Sequence, residues 1–476
     1  MSDRFAGRGR VTAALLLAAS LAGCASGSRG EAAVSGAPSP QVRDASVPAA
    51  WWQAFGSPTL DTLIAEALLA SPSVAAAEAT LRQSEALLAA RAGVNRYPQA
   101  DATLGAQQQR VNPAMFGQPG APREFGLQSA TVSVRYRLDL SGGNRRALEA
   151  LAARSDFQRF QMAGARLTLS AMIATAAVQQ AQLSAQIEAT QEILRQQEED
   201  LTISGERVRL GAASPDEQLA HRSRVAQTRA DLLAQQALGQ QNAHLIAVLA
   251  GRQPGIASEP RFTLADLELP ADLPSVVPSE LLRGRPDIQA AEALMRAADA
   301  EHGVAVARLY PQLDLSASLG TQALTSGVLF GSGSAIWTLL AQLTQPLFNP
   351  GLRAEKRASL AAFDAAASHY QGVVLESLRN TADLLVALDH DARVLVELTS
   401  ADEASRAALA SLQRQYALGS VGYREVLAGG QQAQQARVAL VVARAKQLIN
   451  AVALYQAIGG SPTRSRDTEP APKEDP

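Results

Sequence analysis

Two short segments of this 476-residue chain hold the side chains best placed to do ionic chemistry together. They are Gly211-Ala-Ala-Ser-Pro-Asp-Glu217 and Gly419-Ser-Val-Gly-Tyr-Arg-Glu425, with both glycines and both glutamates offset by 208 residues. Gly211 and Gly419 each end a long helical pattern, where a left-handed cap is wanted. Each then opens a tight turn into a further helix. Glu217 and Glu425 fall at the start of those next helices. Carboxylates crowded together resist simultaneous ionisation and attract cations. A simpler role is open to the same residues, because an acid in a first turn offsets the helix dipole. Asp216 and Arg424 occupy matching places with opposite charge, so a tie between the two turns is possible. Sequence alone leaves cation attraction and helix capping both standing.

The remaining reactive group is Cys24, the one cysteine in the chain, so no intrachain disulfide can form. Arg4, Arg8 and Arg10 precede an apolar stretch from Val11 to Leu21, which is too short to span a bilayer. Basic start, short apolar core and small residues ahead of a cut mark a secretory signal over residues 1–23. Leu21-Ala22-Gly23-Cys24 resembles a bacterial lipobox. That resemblance implies cleavage before Cys24 and a covalent lipid on it; no other cofactor and no metal is expected. Several acyl chains hold a protein stably to a membrane.

Other chemistries lack their residues. The net charge is −2, which argues against nucleic acid as a partner. His221, His244, His302, His369 and His390 are scattered without ligand spacing and read as surface or helix-face residues. No nucleophile elbow, phosphate loop or dinucleotide fingerprint is present, so the chain is not expected to be an enzyme. Five methionines are too few for a copper-handling lining.

The turns need long elements to carry them. After a Gly/Ser/Pro-rich tether over 24–50, the folded part divides into two similar halves, 51–263 and 264–460, followed by a charged, Pro-rich tail over 461–476 that reads as disordered. Ser71-Pro-Ser-Val-Ala-Ala-Ala-Glu78 answers Gly284-Arg-Pro-Asp-Ile-Gln-Ala-Ala-Glu292, and Tyr97-Pro-Gln99 answers Tyr310-Pro-Gln312. In the first half a helix from Pro72 to about Arg96 leads to strands near 101–110 and 127–140, with a loop over Val111–Phe125. A long helix over 145–210 and a helix over 215–250 follow. The second half reads as a helix over 278–308, strands near 312–323 and 336–346, a long helix over 352–418 and a helix over 422–458. Each long helix, about 65 residues, would extend about 100 Å. Its narrow seam (Leu360, Phe363, Ala367, Tyr370, Val374) needs neighbours throughout. A four-residue stutter before Leu378 relaxes supercoiling.

The second strand alternates strictly. Ala130, Val132, Val134, Tyr136, Leu138 and Leu140 share one face; Thr131, Ser133, Arg135, Arg137 and Asp139 share the other. Such alternation suits a wall between lipid and water. Four strands of about ten residues match a membrane by length, yet the smallest barrels use eight. An open edge in lipid leaves backbone groups unsatisfied. The chain therefore reads as one part of a shared barrel made by two or three copies. Trp51, Trp52 and Trp337 are candidates for interface anchors, with packing at least as fitting for the first two.

Four motifs then carry a resemblance. They are Trp51-Trp52-x-x-Phe55-Gly56-x-Pro58-x-Leu60-Asp61, Leu281-Leu282-Arg-Gly-Arg285-Pro286-Asp287-Ile288, Ala307-Arg308-Leu309-Tyr310-Pro311-Gln312 and Gln345-Pro346-Leu347-Phe348-Asn349-Pro350-Gly351. Over about residues 50–460 the chain resembles the TolC-like outer-membrane efflux factors, in the lipoprotein (NodT-type) branch serving RND pumps. The resemblance implies an α+β membrane protein: a homotrimer with a twelve-stranded transmembrane barrel continued by a periplasmic α-helical barrel with an equatorial belt. It further implies a passive exit duct for small molecules, a periplasmic adaptor and inner-membrane RND pump as partners, and outer-membrane lipid around the barrel. Ala25, by the same likeness, favours sorting to the outer membrane. Glu217 and Glu425 would sit at the periplasmic aperture, six carboxylates around one axis. Ala428 and Tyr136-Arg137 depart from the commoner family residues. Two other readings compete: the outer-membrane component of a type I protein secretion system, and a periplasmic coiled-coil scaffold.

Overall fold

The computed structural model describes residues 50–117, 119–255, 260–271, 273 and 283–459. Cys24, the signal, the tether before residue 50, the 461–476 tail, Leu281-Leu282 and the expected helical stretch before 283 lie outside them. The helices are α1 (Pro58–Ala70), α2 (Pro72–Arg96), α3 (Gly143–Arg209), α4 (Pro215–Leu249), α5 (Pro286–Ala307), α6 (Pro350–Ala417) and α7 (Tyr423–Ala457). The strands are β1 (Gln99–Val111), β2 (Arg123–Leu138), β3 (Gln312–Ala323) and β4 (Ala335–Thr344). Five of the helices open on a proline, whose fixed φ and missing N–H cost nothing there. The second half repeats the first, with α5 for α2, β3 and β4 for β1 and β2, α6 for α3 and α7 for α4.

The strands form one antiparallel sheet in the order β1-β2-β3-β4. Its register pairs Ala102 with Val132, Val132 with Leu319, and Leu319 with Trp337. Because side chains alternate, this register gathers Leu104, Val132, Val134, Tyr136, Leu313, Leu315, Leu319, Trp337, Leu339 and Leu343 on one face. Trp337 and Leu339 on that face are 76% and 74% exposed. Ser133, Ser316, Ser318, Thr338 and Gln342 lie on the opposite, polar face. From Ala130 to Leu138 the apolar band is about 27 Å along the strand, the scale of a lipid-facing barrel band once tilt is allowed for.

Two sequence expectations change here. The strands run further into the loop than expected, so β1 and β2 pair from Val111–Arg123 onward. Asp139 and Leu140 are not on β2. The Asp139 carboxylate instead accepts the backbone N–H groups of Asn144 and Arg145, at 3.0 and 2.8 Å. It caps α3, whose first amide donors have no intrahelical acceptor. A chain leaving lipid for a helix needs such a cap more than another strand residue.

The long helices bridge two neighbourhoods. Near the sheet, α3 lies against α2 and α5. Arg166 pairs with Glu78 at 2.5 Å, and Arg154 pairs with Glu301. Away from the sheet, α3 pairs with α4 and α6 with α7. There Arg229 meets Glu198 at 2.6 Å, and buried Asp391 takes Lys446 at 3.1 Å and Asn450 at 2.5 Å. The hydrophobic core sits where the neighbourhoods meet. Leu60 and Ile64 of α1, Leu167, Ile173 and Ala177 of α3, Ile246 of α4 and Leu448, Val452 and Tyr455 of α7 converge on Trp51 and Phe55. Trp51 stacks on Tyr455 at 5.5 Å, with Phe55 edge-on to both. Trp51 is thus core packing and not a membrane anchor. Arg285 closes the same region. It grips the Asp287 carboxylate at 2.8 Å and gives its third nitrogen to the Ala457 carbonyl at 2.7 Å, which explains the Arg-Pro-Asp run.

Trp51→Ala should lower stability by about 3 kcal/mol, the usual cost of deleting a buried indole. Trp51→Phe should cost much less, since Trp51 Nε1 has no acceptor among the described residues. Thermal denaturation followed by circular dichroism of detergent-solubilised protein checks the ordering.

Candidate functional site

At the ends of α3 and α6 remote from the sheet, the two predicted turns have the same geometry. Gly211 and Gly419 adopt φ of 72° and 74°. Leu210 N–H donates to Glu206 O at 3.0 Å and Ala212 N–H to Arg207 O at 2.8 Å. Their repeat mates are Leu418 to Arg414 at 3.1 Å and Ser420 to Gln415 at 2.9 Å. Both helices therefore end in a Schellman cap, which satisfies orphan carbonyls and needs a residue without Cβ. Ser214 accepts Asp216 N–H at 3.1 Å and caps α4. Gly422 holds the matching position before α7 and provides no side-chain cap.

The acids are divided. Glu217 meets Arg207 of its own hairpin at 3.4 Å. Glu425 is exposed, with its carboxylate turned back beside Gly422. Asp216 and Arg424 are both exposed, and within one protomer no ion pair joins them. The tie left open by the sequence is not made there, because each side chain projects from its own first turn into solvent.

The contact between hairpins uses residues that the sequence did not single out. His221 of α4 is 6% exposed, not a surface histidine. Its ring lies 6.2 Å from Tyr423 of α7, which lies 5.4 Å from Tyr416. Behind them is a cavity of about 680 Å³ between the hairpins, lined by Asp200, His221, Arg224, Tyr423, Gln434 and Arg437 among others. Burial pushes the Asp200 carboxyl above its ordinary range, against the pull of His221 and Arg224. Tyr423 stands within the second turn segment of the sequence, but its pairing with His221 was not legible there, since hairpins meet only in three dimensions.

The elements thus form a half-apolar, half-polar sheet, continued by helices about 100 Å long that end in paired acidic turns. Residues 63–252 and 277–460 match the family described as outer membrane efflux protein. The chain belongs to the outer membrane efflux protein family. It is 34% identical over 434 residues to the pyoverdine export outer membrane protein OpmQ of Pseudomonas aeruginosa, covering 88% of each chain. The solved outer-membrane channel OprN superposes with a TM-score of 0.81 at 27% identity, covering 90% of this chain and 99% of that one. The outer membrane protein VceC of Vibrio cholerae superposes with a TM-score of 0.79 at 25% identity, covering 87% and 99%. This outer membrane efflux protein is therefore a channel component of an efflux system, with its sheet in the outer membrane and its helices in the periplasm. The scaffold reading falls, because a soluble coiled coil has no use for the exposed apolar band on the sheet.

Asp200 yields a pH test. Its folded pKa is raised above the unfolded value, so the proton is bound more readily in the folded state. Stability from this group is fully present below the unfolded pKa, near 3.9, and is lost as pH rises through the folded value. Asp200→Asn should raise the melting temperature at pH 7 and give a smaller gain, or none, below about pH 4. A gain that is constant across this range would show that burial of the charge is not the cause.

Proposed function

We propose that three copies of this chain close a twelve-stranded barrel in the outer membrane and a helical tunnel below it, forming the exit duct of a tripartite pump. The observation that carries this is the sheet. It is apolar on one face and polar on the other, and among the described residues nothing pairs with the outer edges of β1 and β4. In hydrocarbon those edges must be paired. Two copies would give eight strands, whose interior holds only side chains, whereas twelve leave a water-filled lumen. The polar face then lines the bore, and cargo would cross it without chemistry.

A periplasmic adaptor and an inner-membrane RND pump would supply the cargo and the energy. Relatives in Pseudomonas species serve pyoverdine export, toluene efflux or antibiotic efflux, which supports small molecules as cargo. The acids Glu217 and Glu425, six per trimer, would stand around the periplasmic aperture. A lipid on Cys24 would tie each protomer to the inner leaflet.

Purified protein in planar bilayers should form channels, and mass measurement under native conditions should give a trimer. Glu217→Gln with Glu425→Gln should raise single-channel conductance in the presence of divalent cations and weaken their block. Unchanged block would leave the two glutamates as helix caps only. Cys24→Ser should abolish incorporation of labelled palmitate while leaving the trimer intact; continued labelling would place the lipid elsewhere.

A further inference from the structure

The polar face of the sheet is nearly free of charge. Among the described strand residues its ionic side chains are Asp101, Arg123, Arg135, Arg137 and Asp314; serine, threonine, glycine and glutamine make up most of the rest. Arg123 stands at the end far from the helices. The other four lie within about 10 Å of the helical end of their strands, at about 3.4 Å per residue. They are paired across strands. Arg135 of β2 pairs with Asp101 of β1. Arg137 of β2 faces Asp314 of β3 in register and grips it with two nitrogens, at 2.7 and 3.4 Å. The result is a row reading acid, base, base, acid across three adjacent strands.

Stability is a weak reason for such a row. All four side chains are between 42% and 66% exposed, and exposed ion pairs contribute about 0–1 kcal/mol each. Register is already set by the apolar face. Uncharged pairs such as Ser133–Ser318, used elsewhere on the same face, would have served.

We infer that this row sets the ionic preference of the barrel section of the duct: each arginine is neutralised by its own carboxylate, so cargo of either sign meets no net charge at that level. The inference rests on the channel reading above. In a closed trimer the row recurs three times as a belt at the helical end of the barrel. Strand spacing of about 4.8 Å and tilt of about 40° give a twelve-stranded barrel a radius of about 12 Å. The screening length is about 10 Å in 0.1 M salt and about 3 Å at 1 M. An unpaired charge on this belt therefore reaches most of the bore at low salt and little of it at high salt. At this level the barrel admits small molecules of either charge sign.

The test is the reversal potential of single channels in a KCl gradient. Asp101→Asn with Asp314→Asn should shift selectivity toward chloride several-fold near 0.1 M, and the shift should vanish near 1 M. Arg135→Gln with Arg137→Gln should shift it toward potassium by a similar factor. If a double variant does not assemble, Asp314→Asn alone keeps an acceptor for Arg137 and should shift selectivity in the same direction by less. Conducting channels with unaltered selectivity at 0.1 M in the acid and base variants would overturn the inference. Failure of the unmodified protein to conduct would instead overturn the channel reading.

Discussion

Backbone amides and carbonyls have no water to bond in hydrocarbon, and that constraint governs the rest of this molecule. Its sheet has four strands and two outer edges, on β1 and β4. Within the sheet the strands are paired with their neighbours; at the edges no described residue of the protomer completes the ladder. The edges are flanked by helices in the same position, since α2 leads into β1 and α6 leaves β4. One act of association thus completes the barrel and the helical wall below it. The duplication follows the same logic, because each half supplies one hairpin of wall and one long helix beneath it.

Different forces hold the two ends. At the core between the two neighbourhoods, burial dominates: Trp51, Phe55, Ile64, Ile173, Ile246, Leu448 and Tyr455 pack where four helices and the entry segment meet. Further along, the buried seam residues are mostly small or polar, such as Thr190 and Ser204 of α3, Thr381 and Ser405 of α6 and Ala433 and Ala436 of α7, and the polar links between helices are ion pairs such as Arg229–Glu198 and Lys446–Asp391. Small side chains let helices approach closely over a great length without demanding a thick core. The duct can then be long and thin-walled, with its rigidity concentrated at one level.

The periplasmic turns show how little chemistry a passive duct needs. Two Schellman caps reverse the chain, and the acids that follow sit where the helix dipole favours them. The hairpins touch through His221 and Tyr423, beside a polar cavity that leaves Asp200 poorly solvated. Such a contact is weak by the standards of the hydrophobic core. The ends of the hairpins are therefore the part of the wall with the least packing to hold it.

Much of this was legible from the chain alone. Proline-free stretches between Pro122 and Pro215 and between Pro350 and Pro462 require long helices, and glycines offset by 208 residues require matching turns. Period-two alternation marked β2 as a wall between unlike media. These are local properties, set by one residue's dihedral freedom or by which neighbours share a face. Other features depended on contacts across long stretches of sequence. Asp139 looked like a strand residue until the helix start folded back onto it. Trp51 was ambiguous between membrane and core until Tyr455, some 400 residues on, stacked against it. Asp216 and Arg424 matched in repeat position yet do not meet, while His221 and Tyr423 do. The pairing of Arg137 with Asp314 required the register of β2 on β3. Local patterns determined which elements exist; only packing decided which side chains share a site, because that depends on distances the linear order does not encode.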